Sequence, residues 1–98
     1  MTSAEYHPEF SNDLAEAAAW LEDEQARLGM RFIEAVENAC REIRTHPCHH
    51  SYIDKPIRRI LVKPFSYAVH YAIPEDGRLL IYGVYHCAMN PGRWRERR

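Results

Sequence analysis

The sequence is poor in several features that would each mark a particular class of protein. Its three cysteines are an odd number without framework spacing, which predicts a reducing compartment, the cytoplasm, and no disulfide scaffold. No apolar run approaches the roughly 20 residues of a membrane span. The N-terminal segment MTSAEYHPEF lacks the basic and apolar regions of a signal peptide. We therefore expect a cytoplasmic protein without a membrane segment.

The composition is that of an ordinary globular domain. Hydrophobic residues make up 46% of the chain and charged residues 28%, values that exclude a disordered protein. A chain of 98 residues has room for one modest core, so residues 1–98 are expected to form a single domain. The sequence contains no repeats or low-complexity tracts, and nothing in it indicates a cofactor.

Charge is distributed unevenly along the chain, although the net charge is only −1. Residues 1–49 hold ten acidic and four basic side chains, whereas residues 50–98 hold four acidic and nine basic ones. The asymmetry suggests an acidic partner for the basic half. The alternative, that the two halves face each other within one fold, remains open at this point.

Residues 10–46 carry the periodicity of two consecutive helices. Apolar residues recur at helical spacing in two stripes, the first formed by Phe10, Leu14, Ala17, Ala18 and Leu21, the second by Phe32, Ile33, Val36, Ala39, Cys40 and Ile43. We expect Leu28-Gly29 to break or bend the helix and the second helix to stop at Pro47. The short connection predicts a helical hairpin laid over one side of a sheet. Residues 2–9 are expected to contain a short strand.

Residues 58–87 are predicted to form a meander of three antiparallel strands. The middle strand alternates bulky side chains with small or polar ones, Tyr67, Val69, Tyr71 and Ile73 against Ala68, His70 and Ala72. Asp76-Gly77 supplies a turn that tolerates positive φ. The last strand, from Leu79 to His86, has apolar residues on both faces, as is typical of a central strand.

The remaining segments complete a small α+β domain with the order β-α-α-β-β-β, in which a strand and a helical hairpin pack on an antiparallel sheet. Residues 47–57 have no hydrophobic period and contain two prolines, so a loop is expected there. Residues 91–98 form a basic tail.

The cluster Cys48-His49-His50, with His86-Cys87 as a second half, raises the question of a zinc site. Adjacent ligands are poorly placed around one tetrahedral ion, and the spacing matches no structural zinc pattern. We therefore expect a polar loop and a strand end there, and no metal.

A set of basic and aromatic residues is the strongest candidate for a binding surface, and it comprises Arg58, Arg59, Lys63, His86, Arg93 and Trp94. Arg59 and Lys63 are four residues apart and are expected on the same face of one strand. A cationic face near a histidine is suitable for phosphate contact or RNA cleavage. It is equally suitable for an acidic protein partner, and the sequence does not separate the two.

Several short segments, taken in order, match a known family. They are DL at 13–14, EAAAWLE at 16–22, LGMRF at 28–32, RR at 58–59, FSYAVHY at 65–71, VYH at 84–86, NP at 90–91 and Trp94. In this order and spacing the chain resembles the RelE/ParE superfamily of bacterial type II toxin–antitoxin toxins over residues 5–95. The resemblance is closer to the ParE-like, plasmid-stabilisation branch.

The resemblance implies a small toxin that is neutralised by a cognate antitoxin, whose C-terminal segment wraps it. RelE-like members cut mRNA in the ribosome, whereas ParE-like members are associated with inhibition of DNA gyrase and lack the nuclease residues. A homodimer and a hetero-oligomer with the antitoxin both remain open.

The nuclease residues of RelE-like toxins are largely missing here. Of their two strand lysines, the first corresponds to Arg59 and the second to Leu61. Their two arginines correspond to Ala68 and to the vicinity of Ala88, and their tail tyrosine to Trp94. One of these five positions keeps its chemistry, which leaves little charge to stabilise a cleaving phosphate.

Three hypotheses follow from the resemblance. The leading one is a non-enzymatic toxin that binds DNA gyrase and is neutralised by its antitoxin. The second is a ribosome-dependent mRNA endonuclease that uses Arg59, Lys63 and His86. The third is a degenerate domain that binds only antitoxin, because Ala88-Met89 stands where many ParE-like relatives have a basic pair.

Overall fold

Seven elements form the fold, described by a computed structural model for residues 2–74, 76–89 and 95–96. They are β1 (Ala4–Tyr6), α1 (Phe10–Glu24), α2 (Leu28–Thr45), β2 (Tyr52–Asp54), β3 (Ile57–Leu61), β4 (Tyr67–Ala72) and β5 (Leu79–His86). The predicted α+β class, with a first strand, a helical hairpin and a later meander, is confirmed. The predicted basic tail at 91–98 lies outside the described residues except for residues 95 and 96.

The described strands form one sheet in the order β1-β5-β4-β3-β2. The pairs β2–β3, β3–β4 and β4–β5 are antiparallel, whereas β1 pairs in parallel with β5, with Ala4 opposite Leu79. The predicted antiparallel sheet is therefore mixed, and the predicted loop at 47–57 is wrong because it contains β2. The prediction that β5 is a central strand is confirmed, since it lies between β1 and β4.

Both helices cover one face of the sheet because their apolar stripes meet the bulky side chains of β4 and β5. The core joins Phe32, Val36 and Ile43 of α2 to Val69 and Ile81 of the sheet. The opposite face carries a separate small cluster formed by Ile57, Ala72 and Tyr85. Fully burying such apolar side chains is the main driving force for the fold.

The connection between the two helices differs from the predicted one. The helices are separated by residues 25–27, and Arg27 adopts the left-handed conformation with φ of 73°. Gly29 lies inside α2, where a Cβ atom would come within 2.5 Å of the backbone oxygen of Ala18. Its backbone N–H donates to Oε1 of Glu22 at 3.0 Å. Glycine is needed here for close approach of the two helices. The predicted position of the break was wrong, because the helices are interrupted at residues 25–27 and Leu28-Gly29 already belongs to α2.

Replacing Gly29 with alanine is expected to destabilise the protein, although alanine favours helix by about 1 kcal/mol. The added methyl group would collide with a backbone oxygen that cannot move alone, and overpacking of this kind costs roughly 1–3 kcal/mol. Urea unfolding would measure the change, with Glu34→Ala at an exposed position of the same helix as the control. A more stable Gly29→Ala variant would contradict the close helix packing.

Candidate functional site

The two adjacent arginines of β3 lie on opposite faces of the sheet. Side chains alternate along a strand, so Arg58 shares a face with Ile60 and Arg59 shares a face with Ile57. Ile60 packs against the main core under the helices, and Ile57 belongs to the small cluster on the other side. The predicted basic surface is therefore divided between two faces.

Arg58 holds the segment between α2 and β2 in place. Its Nη1 donates to the carbonyl oxygens of Cys48 and His50, at 3.2 and 2.6 Å, and its Nη2 donates to the hydroxyl of Tyr52 at 2.8 Å. The guanidinium also lies 4.0 Å from the centre of the Tyr52 ring, a cation–π distance. The hydroxyl of Tyr71 adds a bond to the carbonyl of Pro47 at 2.7 Å. These contacts give Arg58 a structural role.

Arg59 lies where two grooves meet, on the face opposite the helices. The larger groove, with a volume of about 450 Å³, runs along the β2 edge and is lined by Arg59, Lys63, Tyr52 and Leu61 among others. The smaller one, of about 260 Å³, places Arg59 beside His70. The larger groove thus combines two cations with an exposed aromatic and an exposed aliphatic side chain.

A third cation borders the smaller groove. Arg95 also lines it, and its Nε lies 3.2 Å from Oδ2 of Asp54 at the end of β2. The ion pair connects the edge strand to the end of the chain, where both side chains remain partly exposed to water.

His70 is the buried titratable group of this face. It pairs with Arg59 across the β3–β4 ladder, is 4% exposed, and its ring centre lies 4.6 Å from that of Tyr85. Burial, assisted by the positive charge of Arg59, lowers the pKa of His70 to about 4. The imidazole is therefore neutral at pH 7, and Arg59 carries the charge of the pair.

Of the other predicted site residues, His86 and Lys63 each line a groove with Arg59, but not the same one. His86 lines the smaller groove, but its ring packs against Tyr67 at 5.1 Å, and Tyr67 packs on the main core under the helices. Lys63 lies beyond the end of β3 at Leu61, so its predicted position on one strand with Arg59 was wrong, although both line the larger groove. Arg93 and Trp94 lie outside the described residues.

Contacts with neighbouring side chains hold the histidines of the cluster Cys48-His49-His50. His50 faces Glu42, with Nε2 3.8 Å from Oε1, and its ring centre is 5.8 Å from that of His49. Burial lowers the pKa of His50, only partly offset by Glu42. Within residues 2–74, 76–89 and 95–96, no three His, Cys, Asp or Glu side chains converge well enough to hold a metal ion.

Sequence reasoning missed His70 and the groove along the β2 edge. The alternation of Ala68, His70 and Ala72 did indicate one polar side chain among small neighbours on a single face. Its placement opposite Arg59 depends on the strand register, which pattern alone does not give. The groove was missed because β2 itself was interpreted as loop.

A short strand, a helical hairpin and a meander on one sheet form the α+β arrangement of the small toxin class that the sequence resembles. The family model for the ParE toxin of the type II toxin-antitoxin system, parDE, matches residues 4–91. The chain therefore belongs to the ParE toxin family, whose members work with a cognate antitoxin. A search of curated proteins found no match. In the described part of the chain, neither helix has the length and hydrophobicity of a membrane span.

Proposed function

We propose that this protein is the toxin of a plasmid-stabilising toxin–antitoxin module, that it acts in the cytoplasm by binding DNA gyrase, and that a cognate antitoxin neutralises it. The membership of the ParE family supports the toxin–antitoxin role. The groove at Arg59 is the proposed surface for the target. The protein acts by binding gyrase and catalyses no chemical step.

The observation that carries the proposal is the mixed character of the groove along the β2 edge. Tyr52 and Leu61 are 44% and 45% exposed beside Arg59 and Lys63. Exposed aromatic and aliphatic side chains next to an arginine are typical of protein-binding surfaces, where tyrosine and arginine supply much of the binding energy. A surface that only held a phosphate backbone would have less need of the two apolar side chains.

The positions of the catalytic candidates support binding over RNA cleavage. Leu61 occupies the position of the second strand lysine of RelE-like toxins and presents an aliphatic side chain. The ring of His86 packs on Tyr67, and His70 is buried and neutral at pH 7. A general acid or base must reach the reacting group within hydrogen-bond distance, which this arrangement does not favour.

Replacing Arg59 with glutamate is expected to weaken gyrase binding about tenfold or more, because a central interface arginine usually contributes this much. A supercoiling assay and a gyrase binding assay with purified protein would measure the effect. Arg31→Glu, the same charge change at an exposed position of α2, serves as the control and should behave like wild type. Leu61→Asp tests the same groove through an exposed apolar residue.

Other results would favour one of the two other hypotheses. Wild-type protein that leaves supercoiling unchanged but causes ribosome-dependent mRNA cleavage, lost in Arg59→Ala, would establish the nuclease. Folded protein that is harmless on expression without antitoxin would establish a degenerate domain.

A further inference from the structure

Arg58, which holds the backbone between α2 and β2, also contacts an exposed tyrosine of the groove along the β2 edge. Tyr52 lies at the start of β2 and is 44% exposed. Nη2 of Arg58 donates to its hydroxyl at 2.8 Å, and the same guanidinium lies 4.0 Å from the centre of its ring. Nζ of Lys55 lies 5.1 Å from that centre. The exposed ring is therefore within cation–π distance of two cations.

The register of the sheet places Arg58 where it can hold this tyrosine. Tyr52 and Arg58 are partners in the antiparallel pairing of β2 with β3, so their side chains lie on the same face of the sheet. Nη1 of Arg58 donates to the carbonyl oxygens of Cys48 and His50, which leaves the planar guanidinium little freedom to rotate. The arginine is thus fixed by the backbone on one side and presents its other nitrogen to Tyr52.

A tyrosine that is fixed before binding contributes more to affinity than one that rotates freely. A partner that immobilises an exposed side chain must offset the conformational entropy that the side chain loses. For one side chain this cost corresponds to roughly two- to tenfold in Kd. The contacts from Arg58 impose the cost during folding, so the ring of Tyr52 is already oriented when a partner arrives.

We propose that Arg58 is a positioning residue for target binding, which fixes the ring of Tyr52 as the anchor of the groove along the β2 edge. The inference rests on the proposed binding of gyrase and adds the residue that prepares the binding surface. Tyr52 lines the groove beside Arg59 and Lys63, whereas the contacts of Arg58 are directed to Tyr52 and to the backbone. The influence of Arg58 on the partner therefore passes through Tyr52.

The test is a double-mutant cycle on the Kd of the toxin for purified DNA gyrase, measured by surface plasmon resonance. Tyr52→Ala removes the anchor and is expected to raise Kd at least tenfold. Arg58→Lys keeps the charge but loses the planar set of donors, and it is expected to raise Kd about fivefold. In the Tyr52→Ala background, Arg58→Lys is expected to change Kd by less than about twofold, because the residue that it positions is gone.

An NMR measurement at position 52 separates positioning from a direct contact between the hydroxyl and gyrase. Three-bond couplings across the Cα–Cβ bond report whether the χ1 angle is fixed in one rotamer or averaged over several. Wild type is expected to show one rotamer, and Tyr52→Phe is expected to show averaged values together with a Kd raised about threefold. Tyr52→Phe alters only an exposed residue, so it decides the question even if Arg58→Lys is unstable.

Two matched controls locate the effect. Arg31→Lys makes the same change as Arg58→Lys at an exposed position of α2. Tyr6→Phe removes a hydroxyl from a tyrosine that is 40% exposed at the other edge of the sheet, where Nη1 of Arg44 donates to it at 3.1 Å. Both variants are expected to keep Kd for gyrase within about twofold of wild type. Circular dichroism and a thermal melt establish that each variant is folded.

The outcomes separate the inference from the function on which it rests. Wild-type toxin that does not bind gyrase overturns both. An unchanged Kd in Tyr52→Ala and Tyr52→Phe, with binding still weakened in Arg59→Glu, overturns the anchor and leaves the gyrase contact intact. An effect of Arg58→Lys that persists at full size in the Tyr52→Ala background shows that Arg58 acts only by holding the fold, and it overturns the positioning role. A single rotamer at position 52 in Tyr52→Phe overturns it as well.

Discussion

Phe32→Ala is expected to remove about 4 kcal/mol from the free energy of unfolding, since truncation of a buried phenylalanine costs about 3–5 kcal/mol. Phe32 is fully buried in α2. Its ring packs edge-on against Phe65 at 5.2 Å and against Tyr67 at 4.8 Å. The variant loses the transfer energy of the ring, leaves a cavity, and loses both aromatic contacts, which add about 0.5–1.5 kcal/mol each.

Urea unfolding measures this loss directly. A domain of this size has a total stability of roughly 5–15 kcal/mol, so the variant is expected to be close to unfolding at 37 °C. Met30→Ala is the control, because Met30 is 67% exposed on the same helix and its removal should change stability by less than about 0.5 kcal/mol. A loss below about 1 kcal/mol for Phe32→Ala would mean that the aromatic cluster is not packed as described.

Stability is expected to fall as pH is lowered from about 6.5 to about 4. In this range the unfolded chain takes up a proton at His70, whereas the buried His70 of the folded protein resists protonation. The pKa of His70 is lowered from its ordinary value of 6.5 to about 4 in the folded protein, mainly by burial. The unfolded chain therefore binds more protons between these values, and the free energy of unfolding rises with pH across that window. The contribution is complete above about pH 6.5 and amounts to about 3 kcal/mol.

Replacing His70 with phenylalanine separates the contribution of His70 to the pH dependence of stability from that of the other titratable groups. His50 has a lowered pKa as well and acts in the same direction, and carboxylates begin to protonate at the acidic end of the window. The quantity to compare is the difference in unfolding free energy between pH 7 and pH 4.5, in wild type and in His70→Phe. A smaller difference in the variant is expected, and an equal difference would show that His70 is not held neutral by the fold.

The helical hairpin and the meander were predictable because each carries a local period. The two apolar stripes of residues 10–46 and the alternation in residues 67–73 match the observed faces of α1, α2 and β4. β2 has only three residues, too few to show a period, and its segment is held by Arg58 of the neighbouring strand β3. The parallel pairing of β1 with β5 is likewise a contact between the ends of the chain, for which the local sequence contains no signal.

The candidate site was also predictable only in part, because its geometry depends on contacts between elements. A strand period of two places the neighbouring residues Arg58 and Arg59 on opposite faces, which the prediction of one basic surface did not take into account. Which face the helices cover, however, is decided by packing. This packing gives Arg58 a structural role and leaves Arg59 in the groove along the β2 edge.

The pairing of the first strand with the last has a consequence for biosynthesis. β1 leaves the ribosome first, but its partner β5 spans residues 79–86 of a 98-residue chain. Contacts so distant in sequence form late and slow the folding of small domains. During translation, the helices can form while β1 still lacks its partner. The sheet can therefore be completed only after β5 has been synthesised.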